Sequence, residues 1–228
     1  MDAVFFDFDK TLTCVDTTLP FAFFLCKERN KRYRYLYVII LFSIYRFGFI
    51  THQRFKQKLC VILVKNVAKK QILALSHKFF DLYFDSIKND KIIEKCLVHS
   101  DNGDLIYIVS SNFDFFLQPV YNLLPLKRIE ATRASSVNDI FTGKLNGVVC
   151  DDDEKLTRAM SLMSQTPHEK TIFYGDSAGD YSLMKKADIY HIVRYPEVTF
   201  IKKLRRLLKA LVGRFDVQKT EIYFNSGF

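Results

Sequence analysis

The stretch AVFFDFDKT, residues 3–11, constrains the fold more than any other part of the chain. Ala3 to Phe8 is a short apolar run that breaks into acidic residues, the pattern of an interior parallel strand buried on both faces and ending abruptly. Three similar runs recur: DLIYIVSS (104–111), KTIFYGDS (170–177) and DIYHIV (188–193). The first three of the four runs end in small or acidic polar residues. Between them, DDDEKLTRAMSLMSQ (151–165) opens with acids suited to a helix N-terminus, and AGDYSLMKKAD (178–188) can turn Leu183, Met184 and Ala187 toward a sheet. Strand and helix alternating in this way predict an α/β protein with a doubly wound, mostly parallel sheet. In such a sheet ligands bind at the carboxyl ends of the strands, where the polar residues of this chain gather.

Residues 15–85 break the rhythm, because they read as consecutive helices with no convincing strand. The expected organisation is a catalytic core of residues 1–14 and 86–228 with an all-helical cap, residues 15–85, inserted after the first strand. A chain of 228 residues, 49% of them hydrophobic, is long enough for both. Within the insert, YLYVIILFSIY (35–45) is the most hydrophobic stretch of the chain, bracketed by KRYR and Arg46. As a helix its eleven residues span roughly 16 Å, against about 30 Å of bilayer hydrocarbon. It cannot cross a membrane as a simple helix, which leaves a buried helix of the insert or an element lying in a membrane interface.

The formal charge of +9 is unevenly placed. Residues 27–58 hold nine basic side chains and one acidic, and residues 201–214 hold six basic and none acidic. On a helix, Phe200, Leu204, Leu207, Leu208 and Leu211 of the second segment would form one apolar face among basic residues. Both stretches suit peripheral contact with an anionic membrane. Nucleic acid is not an expected partner, since no zinc-finger spacing, glycine loop of the KH type or basic-aromatic strand pair accompanies the charge. Five scattered cysteines without a CxxC pair, and an N-terminus lacking a basic region followed by a cleavable apolar stretch, point to buried thiols in a reducing, cytoplasmic setting.

Asp7 and Asp9 stand two residues apart at a strand tip, and carboxylates so close repel unless one is protonated or a cation lies between them. Magnesium, a hard ion that takes oxygen ligands, is the simplest solution. Three further polar sets are placed to converge with them: Asp176 and Asp180 of GDSAGD (175–180), Ser110 of IVSSN, and Lys155 at the start of the helix after CDDDE.

Taken together, Asp7-Phe8-Asp9-Lys10-Thr11, Ser110, Lys155 and Gly175-Asp176-Ser177-Ala178-Gly179-Asp180 resemble the haloacid dehalogenase superfamily. The match is to its phosphoserine-phosphatase-like branch, which carries a helical cap and includes phosphatidylglycerophosphatases. The segment 131–147 also resembles the connecting segment of that branch. The resemblance implies a magnesium-dependent phosphomonoester hydrolase with Asp7 as nucleophile and an aspartyl-phosphate intermediate. Asp9 would be its acid and base, and Asp7, the main-chain carbonyl of Asp9 and Asp176 its metal ligands. Asp180 would order their surroundings, Ser110 and Lys155 would hold the phosphoryl group, and Thr11 would support the loop. Phosphoserine phosphatases carry an arginine on a cap helix. The nearest stretch here, RFKQKLCVIL (54–63), puts Ile62 at that place unless Arg54, Lys56 or Lys58 substitutes, which disfavours phosphoserine as substrate. A greasy, basic cap suits instead a phospholipid head-group phosphate such as phosphatidylglycerophosphate. Phosphoserine or other small soluble phosphomonoesters, and phosphotransfer through the same intermediate, are the enzymatic alternatives; a protein that binds anionic membrane or nucleic acid is the non-enzymatic one.

Overall fold

The computed structural model describes residues 1–176 and 178–194, which belong to one compact unit. The basic segment 198–214 and Ser177 lie outside the described residues. The chain opens with β1 (Ala3–Phe6), turns tightly, and runs through α1 (Thr18–Glu28), α2 (Arg34–Arg46), α3 (His52–Val64), a two-residue strand β2 (Val67–Ala68) and α4 (Lys69–Ile87). It continues with α5 (Asp90–Asp101), β3 (Leu105–Phe113), α6 (Asp114–Leu117) and β4 (Arg128–Thr132), then the hairpin β5 (Ala134–Val137) and β6 (Ile140–Leu145). The described part ends with α7 (Asp152–Met163), β7 (Thr171–Gly175), α8 (Tyr181–Lys186) and β8 (Ile189–Ile192).

Five strands form one sheet in the order β4-β3-β1-β7-β8, every neighbouring pair parallel. Side-chain alternation explains why the central strands are apolar throughout. Ala3, Phe5, Tyr107, Val109 and Phe173 pack on Ala159 and Leu162 of α7 and Leu183 of α8, with Met184 and Ala187 partly buried beside them. Val4, Phe6, Ile106 and Ile108, on the opposite face, are buried as well. Neighbouring strands are knitted by stacked rings, Phe5 on Tyr107 at 4.9 Å and Phe6 on Tyr174 at 4.7 Å.

The chain leaves for the helical insert and returns from it at one place: Thr13 bridges Lys88, and Asn89 N–H donates to the Leu12 carbonyl at 2.8 Å. Part of the phenylalanine content is spent on packing the insert's helices over the turn after β1. Phe21 of α1 and Phe79 and Phe80 of α4 surround Phe116, with ring centroids 4.3–5.5 Å away. The insert is not wholly helical, because β2 pairs antiparallel with β6 in a small sheet ordered β2-β6-β5. The hairpin turn, Asn138-Asp139, has both residues at positive φ (49° and 58°), the geometry that twists with the strands.

Of the two readings of the hydrophobic run, the buried helix is not met: α2 covers the run, but only Val38 and Leu41 are buried, while Leu36, Tyr37, Ile39, Ile40 and Ile44 are exposed. Nor are all the thiols buried, since Cys14 is exposed while Cys26, Cys60, Cys96 and Cys150 are not. Among the described residues, no helix is long and apolar enough to cross a membrane.

Candidate active site

β3 and β4 lie on one side of β1, and β7 and β8 on the other, so the chain reverses its direction of travel across the sheet at β1. The crevice beyond the carboxyl ends of β1 and β7 is therefore the topological switch point, where ligands of open α/β sheets bind. Asp7 follows β1 and Asp176 follows β7, and with Phe6 paired to Tyr174 the register brings Asp7 beside Gly175, one residue before Asp176. Asp7 N–H donates to the Tyr174 carbonyl at 2.9 Å, which carries the pairing one residue past the strand and fixes where its carboxylate begins.

The turn after Asp7 separates the two aspartates. Asp9 is extended (φ −69°, ψ 132°) and Lys10 takes the left-handed conformation (φ 56°, ψ 13°), which a residue with a Cβ adopts at a cost of about 1–2 kcal/mol. The kink directs the Asp9 carboxylate away from that of Asp7 and toward the insert. There it accepts hydrogen bonds from Thr17 N–H (2.9 Å), Thr17 Oγ1 (2.7 Å) and Asn112 Nδ2 (2.8 Å). Burial pushes Asp9 up to about 8, with Asp16 and Asp7 adding to the rise and the Thr17 hydrogen bonds opposing it.

Lys155 enters from the first turn of α7, only 3% exposed, and joins the other side of the site. Its Nζ donates to Asp7 Oδ1 at 2.9 Å and to Asp180 Oδ1 at 2.5 Å. Burial alone would lower the lysine, but the two carboxylates outweigh it and hold the ammonium above its ordinary value. Asp7 is raised to about 7: burial is the largest cause, and the attraction of Lys155 offsets it only in part. Oxygen atoms of Asp7, Asp176 and Asp180 all lie within 4.8 Å of one another. Three carboxylates around one buried ammonium, with Lys10 Nζ reaching to 3.9 Å of Asp176, leave an excess of negative charge lined by hard oxygen donors, which fits a magnesium ion. The side chain of Asp9 is not part of this cluster.

Gly175 ends β7 because nothing larger fits. A Cβ there would stand 2.5 Å from Phe173 Cε1 and 2.6 Å from Asp180 Oδ2, displacing the carboxylate that holds Lys155.

Ser110 is buried in the last part of β3, beside β1, and its Oγ accepts from Asn112 N–H at 3.2 Å. Thr11 is wholly buried, and its carbonyl accepts from Asn89 Nδ2 at 2.9 Å, tying the turn to the start of α5. Asp7, Lys155, Asp176 and Asp180 thus come together, Asp9 stands one turn away facing the insert, and Ser110 and Thr11 flank them. Reading the sequence by motif passed over Thr17 and Asn112, which fix Asp9. It also passed over the contact between His52 Nδ1 and Asp151 (2.6 Å), through which α3 of the insert touches the residue before α7. The N in IVSSN was visible, but only the fold shows that it faces Asp9.

Among solved structures, the fold matches a protein of unknown function from Bordetella pertussis Tohama I with TM-score 0.76 and 18% identity, covering 90% of this chain and 96% of that one. A phosphoserine phosphohydrolase-like protein from Francisella tularensis matches with TM-score 0.60 and 22% identity over 91% and 93% of the two chains. A phosphoserine phosphatase captured as a phospho-aspartyl intermediate analogue matches with TM-score 0.56 and 19% identity over 91% and 97%. At these identities the likenesses show the fold alone. No curated protein sequence matches significantly. The sequence profile that does match, over residues 4–185, is that of the haloacid dehalogenase-like hydrolases, and the chain belongs to that family.

Proposed function

We propose that this hydrolase is a magnesium-dependent phosphatase of phosphomonoesters that works through an aspartyl-phosphate at Asp7. The observation that carries the reading is the buried Asp7–Lys155–Asp180 ion triad packed against Asp176 at the switch point of the sheet. Asp7, Asp176 and the main-chain carbonyl of Asp9 would hold Mg²⁺, which supplies positive charge to screen the attack of a carboxylate on a phosphate dianion. An Asp7 oxygen forms the new bond to phosphorus as the bond to the alcohol oxygen breaks, and Asp9 gives that oxygen its proton. Asp9, raised to about 8, is protonated when this step needs an acid. As the anion left behind, it then takes a proton from the water that attacks phosphorus and frees Asp7. Lys155 neutralises charge on the nucleophile and the bound phosphoryl oxygens, and Asp180 holds Lys155 in place. The Ser110 hydroxyl would donate to a phosphoryl oxygen, and Thr11 would support the turn.

The purified protein is expected to hydrolyse p-nitrophenyl phosphate with Mg²⁺ and to lose that activity in EDTA. If no phosphomonoester in a panel of lipid, sugar and amino-acid phosphates is turned over with Mg²⁺, the reading fails. Addition of acceptor alcohols to the same assay separates hydrolysis from phosphotransfer, because only the latter yields a new ester in proportion to acceptor.

The surface of the insert favours a substrate at a lipid surface. Tyr33, Tyr37, Ile40, Ile44 and Phe47 recur every three or four residues along the outer face of α2 and its ends, and all are exposed, Phe47 and Phe49 each by 77%. Lys27 of α1, Arg32 and Arg46 at the two ends of α2, and Arg54 and Lys58 of α3 are exposed as well, the charge expected of an element that meets anionic lipid. Vesicles with anionic head groups are expected to co-sediment the protein, zwitterionic vesicles to do so weakly, and raised salt to release it. The pair Ile40→Asp and Phe47→Asp should weaken binding at least about tenfold while leaving hydrolysis of p-nitrophenyl phosphate intact. Equal binding of the pair and the wild type would remove α2 from the contact.

A further inference from the structure

Away from the switch point, a cavity of about 280 Å³ opens where the first turns of α4 meet α6 and β6. Its apolar wall is built from Phe115 and Phe141, 3% and 1% exposed, whose rings meet edge to face at 5.3 Å, and from half-buried Leu73. Asp114 and Lys69 also line it. Pockets for drug-sized molecules start at about 300 Å³, so this one suits a smaller metabolite. None of these residues belongs to the carboxylate cluster around Asp7.

The two charged groups are held apart. Asp114 Oδ1 accepts from Phe115 N–H at 2.8 Å and from Ala134 N–H at 3.2 Å, which fixes the carboxyl at the cavity. Its other oxygen, Oδ2, accepts no hydrogen bond from any described residue, and no described cation stands within ion-pairing distance of it. Lys69 is fixed by its main chain, where its N–H donates to the Asp139 carbonyl at 2.7 Å in the hairpin turn. Its exposed ammonium likewise pairs with no described carboxylate. Burial holds the Asp114 carboxyl above its ordinary value, although the two N–H donors, Lys69 and Arg133 all pull it down. Arg133 is not available to close the gap, being bound to Glu130 at 2.6 Å. A carboxylate stripped of water with no cation against it is costly, and a charge-assisted hydrogen bond from a ligand ammonium offsets that cost.

We propose that this cavity binds a zwitterionic α-amino acid with an apolar side chain. The ammonium sits on Asp114, the carboxylate reaches Lys69, and the side chain lies on Phe115, Phe141 and Leu73. A simple amine or a simple acid meets only one of the two charges. Because α4 belongs to the insert and α6 follows β3, the strand of Ser110, the ligand bridges insert and core. The proposal does not depend on the phosphatase reading.

Isothermal titration of the full chain with L-leucine and L-phenylalanine tests it, each beside the amine and the acid that keep one of its charges. These are isopentylamine and isocaproate for leucine, and phenethylamine and hydrocinnamate for phenylalanine. At least one amino acid is expected to bind with a Kd of about 1 mM or tighter, and both of its one-charge analogues at least about tenfold more weakly. Asp114→Asn keeps an acceptor for the two N–H groups and loses only the charge. That variant and Lys69→Met should each weaken binding about tenfold or more. Lys69 is exposed, so Lys69→Met should melt as the ligand-free wild type does, and its result stands even if Asp114→Asn does not fold. No binding of either amino acid at about 10 mM overturns the proposal. So do analogues that bind as tightly as their parent, and so does binding that survives Lys69→Met.

Discussion

Asp7→Asn is expected to remove turnover, by a factor of at least about 10³, while yielding a protein that melts at the same temperature as the wild type or higher. The two effects have one cause. Asp7 is 6% exposed, and burial raises its carboxyl from 3.8 in the unfolded chain to about 7 in the fold, despite the ammonium at 2.9 Å. A folded-state value above the unfolded one means that ionising this acid opposes folding. The opposition is absent where both states are protonated, below about pH 4, grows as pH rises, and is complete above about pH 7. An amide of the same shape escapes it, and Lys155 keeps Asp180 as a partner. In metal-free buffer the variant should therefore gain roughly 1 kcal/mol or more over the wild type at pH 8, and the gain should vanish toward pH 4. Mg²⁺ should reverse the order, stabilising the wild type and doing little for the variant. Thermal melts at several pH values with and without Mg²⁺, beside an assay with p-nitrophenyl phosphate, read all of this. Near-wild-type activity in a clean Asp7→Asn preparation would end the assignment of Asp7 as nucleophile.

The strands that hold the site were legible because an interior parallel strand must be apolar on both faces, and the first polar side chain shows where that run stops. Asp7 and Asp176 directly follow β1 and β7, whereas β3 continues past Ser110 to Phe113. α7 was legible from its acidic first turn, and Lys155 from its place directly after those acids. The hairpin β5–β6 was not, since ASSV and IFTGKL lack the apolar alternation that declares a strand. Asn138-Asp139, both at positive φ, was the signal available there. β2 is two residues long and owes its existence to β6, a partner more than seventy residues away, so no local pattern could reveal it. α2 could not be settled for a different reason: hydrophobicity predicts burial only where a partner surface exists, and the described residues bury Val38 and Leu41 but only half-bury Tyr35, Phe42 and Tyr45 against Phe23 and Phe55. At the site, the motifs marked the residues proposed to react more clearly than those that hold them. Thr17 and Asn112 are ordinary polar residues until the insert and β3 meet around Asp9.

Lys155→Met tests the site from its other side and carries the larger expected cost in stability. In the wild type one ammonium, 3% exposed, bridges two carboxylates that are 8% and 0% exposed. Removing the cation leaves Asp7 and Asp180 buried beside Asp176 with no buried positive charge among them, and losing one partner of a buried ion pair costs about 3–5 kcal/mol. The attraction of Lys155 is what holds Asp7 down to about 7, so without it the carboxyl rises further and takes up a proton more readily. Destabilisation should accordingly be greatest above pH 7 and shrink as pH falls, and Mg²⁺ should recover part of it by replacing the lost charge. The double variant Lys155→Met, Asp180→Asn should recover stability relative to Lys155→Met, because it removes one of the stranded charges as well. Turnover should follow a different rule. Both variants lose the ammonium that screens the phosphoryl oxygens, so both should stay about 10²- to 10³-fold below wild type whatever their stability. Urea melts and initial rates on the three proteins separate the two roles. A single variant that unfolds within about 1 kcal/mol of wild type would show that the triad does not hold the fold, and one that keeps its rate would remove Lys155 from the chemistry.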